Sequence, residues 1–316
     1  MIKILGTGQF APQHVLTNQD LEKIVDTTDE WITKRTGIKE RKVVTTESVA
    51  DMATQAGLQA ILKAGCTPRD IDMIVCSTIG GDYVVPPVAC LVAGQLGLTV
   101  PALDINAACS GFVYALDVVA TYLQSGRVDR VLLIGVDNLS RFVDYNDRNT
   151  CVLFGDGAGA LVLAKGQQLK SIKLTTQGSA ELMNIPNTSG NAPFMLNRQI
   201  PPYLIMHGQE VYKWAVSKIE HEVRAVVQMA GVEMSDVDWL LPHQANYRII
   251  ETAAKSLGLD MSQVVNNIEC RGNTSSACIP TLLSIAFDTQ LFRPGSIVVL
   301  CAFGAGLTTG AAVIKV

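Results

Sequence analysis

Short apolar runs rich in valine, isoleucine and leucine alternate along this chain with helical spacings of apolar and polar residues. IDMIVCST is followed by a helical pattern ending near Leu96, VPALDIN by a helix from about Ser110, and that helix by VDRVLLIGV. Runs without polar alternation, set between helices, mark strands covered on both faces. The pattern predicts an α/β protein built in layers.

The pattern also repeats. AILKAGCTPRDIDMIV, from Ala60, matches VVQMAGVEMSDVDWLL, from Val226, almost position for position. Each copy reads as a helix ending in Ala-Gly, a short loop, two aspartates flanking an apolar residue, and a strand. Gly65 and Gly231 suit the helix C-terminus. The echo continues as QLGL against SLGL, VDRVLLIGV against PGSIVVLCA, and GALVLAK against GAAVIKV. Four echoes in one order predict a duplicated fold, with halves at 1–165 and 166–316. The polar stretch from Gly178 to Pro202 is then an insertion between them.

Composition narrows the class. With 316 residues, 48% of them hydrophobic and 17% charged, the chain can bury a large core. A formal net charge of -4 argues against a nucleic-acid binder or a basic membrane-surface protein, so any basic docking site must be local. MIKILGTGQFAP lacks a signal-peptide pattern, and no run reaches the roughly 18 to 20 apolar residues that span a bilayer. A cytoplasmic location is expected. The eight cysteines form no C-x-x-C pair and are expected as reduced thiols, most of them small buried hydrophobes. No Cys/His cluster has zinc-ligand spacing, so no metal or cofactor is expected.

Cys109 differs from the other cysteines because NAACSGF places it where an apolar strand gives way to a long helix. A helix N-terminus stabilises a thiolate and lowers the thiol pKa, so Cys109 is a candidate nucleophile; a buried structural cysteine is the alternative. Of the four histidines, His14 and His221 read as ordinary exposed side chains, and His207 is a candidate pocket residue. His243, in WLLPHQANYRII, sits where an apolar strand stops and a helix begins near Asn246. Asn273 lies in ECRGNTSSACIP, too polar for core, where its amide can donate at any pH or simply form a turn. CAFGAGLTTGAAVIKV sets a Gly-rich turn between the last two apolar strands, able to aim N–H groups at an anion or to serve only as a hairpin. FGDGAGA lacks a Walker-type lysine and reads as a close-packed turn.

ILGTGQFAP, TTDEWITKRTGIKER, NAACSGF, FGDGAGA, PHQANYRII, GNTSSACIP and AFGAGLTTG follow one another across essentially the whole chain. In that order they resemble the landmarks of the beta-ketoacyl-acyl carrier protein synthase III family of the thiolase superfamily. Elongating ketosynthases use Cys with two histidines and thiolases use Cys, His and a second Cys, so Cys, His and Asn separate this branch. The resemblance implies a duplicated five-layered α-β-α-β-α fold and a homodimer. It implies decarboxylative condensation of an acyl-CoA primer with malonyl-acyl carrier protein through an acyl-cysteine, initiating fatty acid synthesis.

Carried over by position, the resemblance makes Cys109 the nucleophile and His243 with Asn273 the donors to the malonyl thioester oxygen. The backbone N–H groups of Cys109 and Ala305 would form the oxyanion hole. Trp31 and Arg148 would sandwich the CoA adenine, with Arg35 near the phosphates. Val85 aligns where a residue from across the dimer interface limits the primer pocket, and a bulky Phe there restricts some members to the shortest primers. Valine implies branched or medium-length primers, with Met206 able to refill the space and Phe303 ordering the site. Lys213, Arg248 and Lys255 are candidates for docking the acidic carrier protein. The chain departs from the common family pattern at Thr309, where Trp is frequent, and at Ala305, where Gly is frequent; these departures bear on the acyl substrate.

Within the superfamily, a specialised primer-condensing enzyme of biotin, quinolone or polyketide synthesis would share every motif. A chain-length-factor-like partner would be catalytically silent, which the retention of all three residues disfavours. A papain-like protease also uses Cys, His and Asn, but the internal duplication argues against it.

Overall fold

A computed structural model of the chain describes residues 2–187 and 203–316. Its first part comprises β1 (Ile2–Phe10), β2 (Val15–Thr17), α1 (Asn18–Leu21), α2 (Asp29–Thr36), β3 (Glu40–Lys42), α3 (Val49–Lys63), β4 (Met73–Ser77), α4 (Val88–Gln95), β5 (Ala102–Ile105), α5 (Gly111–Gln124), β6 (Arg130–Asn138) and β7 (Asp156–Lys165). The remainder comprises β8 (Leu169–Ser179), β9 (Met183–Asn184), β10 (Ile205–Met206), α6 (Gly208–Met229), β11 (Trp239–Pro242), α7 (Tyr247–Leu257), α8 (Ile268–Arg271), α9 (Cys278–Asp288), β12 (Ile297–Gly304) and β13 (Gly306–Lys315).

One sheet has the order β1-β7-β6-β4-β5 and the other β11-β12-β13-β8. In both, a parallel pair (β4 with β6, β11 with β12) is followed by two antiparallel strands. Where β5 flanks β4, a single parallel bridge from Val264 flanks Leu240 of β11. The sequence echo is therefore a structural one. Gly65 and Gly231 end α3 and α6 at φ 65° and 71°. Asp72 then accepts from the Arg130 N–H at the head of β6, as Asp238 does from the Ile297 N–H at the head of β12.

Alternate residues of the central strands face different layers because successive strand side chains point to opposite sides. Val131 and Leu133 of β6, with Val298 and Leu300 of β12, meet α5 and α9 in a middle layer between the sheets. Leu132 and Ile134 pack under α3 and α4, and Val299 and Cys301 under α6 and α7. The layers thus run helix, sheet, helix, sheet, helix.

The stretch from Gly178 to Pro202 begins on β8 itself, since that strand extends to Ser179. Because β8 belongs to the second sheet, the stretch falls within the second half, between β8 and α6, and not between the halves; β9 inside it pairs with β10, which follows it; residues 188–202 lie outside the described residues. Cys76 and Cys301 are buried, as their apolar settings predict, and so are Cys151 and Cys278, the latter because the polar segment from Asn273 to Ser276 is itself buried; Cys90 and Cys270 are exposed. No helix among the described residues is long and apolar enough to cross a membrane.

Candidate active site

Between β5 and α5 the chain makes a tight turn that presents Cys109 at the head of α5. Asn106 Oδ1 accepts the Ala108 N–H at 3.1 Å, and the Gly111 N–H returns to the Ala108 carbonyl at 2.9 Å. Ala108 is left at φ 48°, a left-handed conformation that costs an L-residue energy and is tolerated where the surroundings over-determine it. Those surroundings come from the other half. A Cβ at Gly304 would lie 2.6 Å from the Cys109 nitrogen, so only glycine lets the β12–β13 turn approach this closely. The Ser110 and Thr308 hydroxyls, 2.7 Å apart, lie 2.8 and 3.1 Å from the Ala107 carbonyl, and Thr308 Oγ1 is 3.1 Å from the Ala305 carbonyl. The turn carrying Ala305 is thereby bound to the Cys109 turn. Gly111 faces Ser77 at the end of β4, so its lack of a side chain serves close packing.

The thiol does not behave as the helix terminus suggests. Burial pushes Cys109 up to about 12, with the Ser275 side chain acting in the opposite direction. Desolvation penalises the charged form, and the nearby Asp137 carboxylate acts in the same direction. The first N–H of α5 is already bonded to Ala108, which reduces what the terminus can offer a thiolate.

His243 follows β11 and is fixed on all sides. Its N–H donates to the Cys301 carbonyl at 2.7 Å, and Gln244, fully buried, locks the turn by donating to the Pro242 carbonyl (2.8 Å) and accepting from the Asn267 N–H (3.1 Å). The imidazole stands edge-on to Phe303, centroids 5.2 Å apart, and Phe303 stands edge-on to Trp214 at 6.3 Å. Burial pushes His243 down to about 3, so the ring is neutral. Nδ1 is buried without a partner, which leaves Nε2 as the nitrogen open to the cavity. Asn273 is held from both sides: its N–H donates to Leu153 and its carbonyl accepts from Gly155, at 2.9 and 3.0 Å. Oδ1 is occupied by the Ser275 N–H at 2.9 Å, leaving the amide N–H groups for a ligand.

A cavity of about 910 Å³ is lined by Cys109, His243, Asn273 and Phe303 at one end and by Trp31, Arg35, Lys213 and Arg248 elsewhere, with Met206 and His207 in its wall. The mouth is assembled across the halves. Thr28 caps α2 by accepting the Trp31 N–H, and the far end of α2 meets the start of α7, where Asn246 Nδ2 donates to the Arg35 carbonyl (3.1 Å) and Arg248 Nε to the Lys34 carbonyl (3.2 Å).

Four sequence candidates do not line this cavity. Ala305 is half-buried in the turn just described, beside the Cys109 turn. Lys255 is exposed further along α7. Val85 is 78% exposed, at the tip of a loop with Tyr83 and Val84, away from the chain's own cavity. Arg148 lies over the Trp31 ring, 5.2 Å from its centroid, tied to the Asp26 carbonyl at 2.9 Å. A base stacked between two planes needs about 7 Å, twice a van der Waals contact, so Arg148 closes directly on the indole in this state. Sequence reasoning missed the supports: Ala108, Ser110 and Thr308 around the thiol, Gln244 and Trp214 around the imidazole. It also missed Asp137, a buried carboxylate accepting from Thr78, Ile79 and Ser276. Small polar residues give no periodic signal, and their roles follow from what packs on them.

Residues 103–179 match the family described as 3-Oxoacyl-[acyl-carrier-protein (ACP)] synthase III, and residues 227–316 its C-terminal part. A beta-ketoacyl-[acyl-carrier-protein] synthase III of Coxiella burnetii (strain Dugway 5J108-111) is 43% identical over 317 residues, covering 99% of this chain and 98% of the relative. The chain belongs to the beta-ketoacyl-acyl carrier protein synthase III family. The crystal structure of a synthase III from Aquifex aeolicus VF5 superposes with a TM-score of 0.94 at 42% identity, covering 100% of both chains. The priming beta-ketosynthase of the R1128 polyketide biosynthetic pathway shares the fold at a TM-score of 0.93, with 30% identity over 100% of this chain and 96% of that one. As a synthase III this chain is a condensing acyltransferase with a thiolase-like fold.

Proposed function

We propose that this synthase III condenses an acyl-CoA primer with malonyl-acyl carrier protein, with loss of carbon dioxide, through an acyl-Cys109 intermediate, initiating fatty acid synthesis. The observation that carries the residue assignment is one cavity lined by Cys109, His243 and Asn273, from distant segments, with Trp31 and Arg35 at its mouth. The 1–165 half supplies the nucleophile and the 166–316 half the His/Asn pair. Identity to the Coxiella synthase III exceeds that to the polyketide priming enzyme, which favours the fatty-acid reading.

Cys109 sulfur attacks the thioester carbonyl, its proton passing to the departing CoA sulfur, and the N–H groups of Cys109 and Ala305 hold the tetrahedral oxyanion. Because the resting thiol is protonated, proton loss accompanies attack. Malonyl-acyl carrier protein then binds. The electron pair of the breaking C–CO2 bond forms an enolate whose oxygen accepts from His243 Nε2–H and Asn273 Nδ2–H. Its carbon attacks the acyl-Cys109 carbonyl, and the Cys109 sulfur leaves as a thiolate that takes up one proton from solvent to restore the resting thiol. A neutral histidine suits this role, since its single N–H donates a hydrogen bond but is too weakly acidic to protonate the enolate. Adenine binding at Trp31 requires Arg148 to leave Asp26 and reclose over the base. Intact-protein mass spectrometry after exposure to acyl-CoAs tests the first step: a mass increase matching the acyl group is expected, and its absence with every acyl-CoA would overturn the reading.

Lys213, Arg248 and Lys255 form the docking surface for the acidic carrier protein. Charge reversal at all three raises the KM for malonyl-acyl carrier protein by an expected tenfold or so, with a salt dependence lost in the variant. An unchanged KM removes this surface.

The chain works as a cytoplasmic homodimer, and the exposed Tyr83–Val85 tip enters the partner's primer pocket. With valine at position 85, kcat/KM for isobutyryl-, butyryl- or hexanoyl-CoA exceeds that for acetyl-CoA, in graded steps of about 1 to 3 kcal/mol per methylene. Val85→Phe shifts the profile toward acetyl. A strict acetyl preference in the unmodified protein would show that Val85 does not set the pocket depth.

A further inference from the structure

Arg41 is fully buried, one of the largest side chains with no access to solvent. Its guanidinium has only neutral partners: Nη1 donates to the Leu16 carbonyl (3.2 Å) and Asn18 Oδ1 (2.8 Å), and Nη2 to the Val152 carbonyl (2.6 Å). Nε is buried with no acceptor, and among the described residues no carboxylate lies within ion-pair distance. A cation in that setting is costly, and an apolar side chain of similar volume would fill the space at lower cost. Burial pulls Arg41 down to about 10, which still leaves it charged at neutral pH.

Its position relative to the active site is specific. Val152, Leu153 and Phe154 all line the cavity, and the segment they form holds Asn273 by the Leu153 carbonyl and the Gly155 N–H. Cβ atoms built at Gly155 and Gly272 would each lie 3.2 Å from Arg41 Cβ, so the arginine is packed beneath both glycines that flank this pairing. Its shortest contact, to the Val152 carbonyl, falls one residue before the carbonyl that accepts from Asn273. The other contacts anchor it to Asn18, itself bonded to Asp29 of α2 at 2.7 Å and to the Ile38 carbonyl at 2.8 Å.

We infer that Arg41 is a positioning residue for decarboxylation, pinning the 152–155 segment so that the Asn273 amide is aimed at the enolate oxygen. This rests on the assignment of Asn273 above. Displacement of a catalytic group by about 1 Å costs on the order of 100-fold, whereas the Cys109 turn is built from other contacts.

The test measures two half-reactions in the full-length protein: Cys109 self-acylation by acetyl-CoA, and carbon dioxide release from malonyl-acyl carrier protein. In Arg41→Met, kcat for decarboxylation falls by about 30- to 100-fold with KM for the malonyl substrate within about threefold, and self-acylation stays within about threefold. Arg41→Lys, which keeps the charge but not the fork, recovers part of the loss. In an Asn273→Ala background Arg41→Lys adds no further loss, because the two act through one group. Should Arg41→Met fail to fold, as judged by circular dichroism, the Lys variant and the double variant decide. Full additivity, unimpaired decarboxylation in the folded Met variant, or an equal fall in both half-reactions overturns the inference. Normal decarboxylation in Asn273→Ala instead overturns the assignment of Asn273 and the inference with it.

Discussion

Cys109→Ala abolishes acyl transfer from CoA, and condensation falls by an expected factor on the order of 10^4 to 10^6, the scale of nucleophile removal in other enzymes. The loss includes the covalent step, because no other cysteine is placed at the cavity end beside His243 and Asn273. Cys278 and Cys301 are buried, and burial pushes them up to about 11 and 12. Intact-mass analysis of the variant after exposure to a short acyl-CoA checks the result, and a retained acyl adduct would falsify the assignment. The protonation state makes a companion result in the unmodified protein. With the thiol near 12, against about 8.5 for free cysteine, almost no thiolate is present at pH 7. Alkylation of Cys109 by iodoacetamide should rise about tenfold per pH unit between pH 6 and 10. A plateau near pH 7 would mean that the helix field, and not burial, governs the resting site.

The second large effect separates the half-reactions. His243→Ala and Asn273→Ala each retain self-acylation at Cys109 but lose decarboxylation by about 10^2- to 10^3-fold, equivalent to about 2.7 to 4 kcal/mol for one donor to a developing oxyanion. With His243 held near 3, its donor N–H is present throughout the neutral range. The decarboxylation rate is therefore flat in pH from about 5 to 8 wherever the fold is intact, since the ring gains a proton only as pH falls toward 3. Stopped assays with malonyl-acyl carrier protein and no primer read this step alone. Normal decarboxylation in both variants would remove the enolate-binding role, and a bell-shaped profile centred near pH 6 to 7 would show a titrating His243.

Much of the fold could be read along the chain because its signals are local or repeated. IDMIVCST and VDRVLLIGV have no polar alternation and became β4 and β6, covered on both faces. The Ala-Gly helix ends and the aspartates at positions 72 and 238 announced two copies of one unit, and each copy uses its aspartate on the same strand-opening N–H. Cys109 could be singled out because a strand-to-helix switch is visible as a change of period. His243 and Asn273 could be nominated as residue types, but their partnership came from the family resemblance, since no spacing relates positions in different halves.

What the sequence determined by itself is the layered α/β class, the repetition of a helix-loop-strand unit, and which cysteine heads a helix, all of which follow from short-range periodicity and capping chemistry. Tertiary structure alone decided the rest. It brought Gly304 against Cys109 and packed protein around the half-buried thiol, so that its pKa is raised where the helix terminus alone implied lowering, because desolvation depends on everything packed around a group. It closed Arg148 on Trp31, turned Val85 away from the chain's own cavity, and set Arg41 without a counter-ion beneath the Asn273 segment. Each is a contact between residues remote in sequence, where packing and local dielectric outweigh any preference carried by the residue itself.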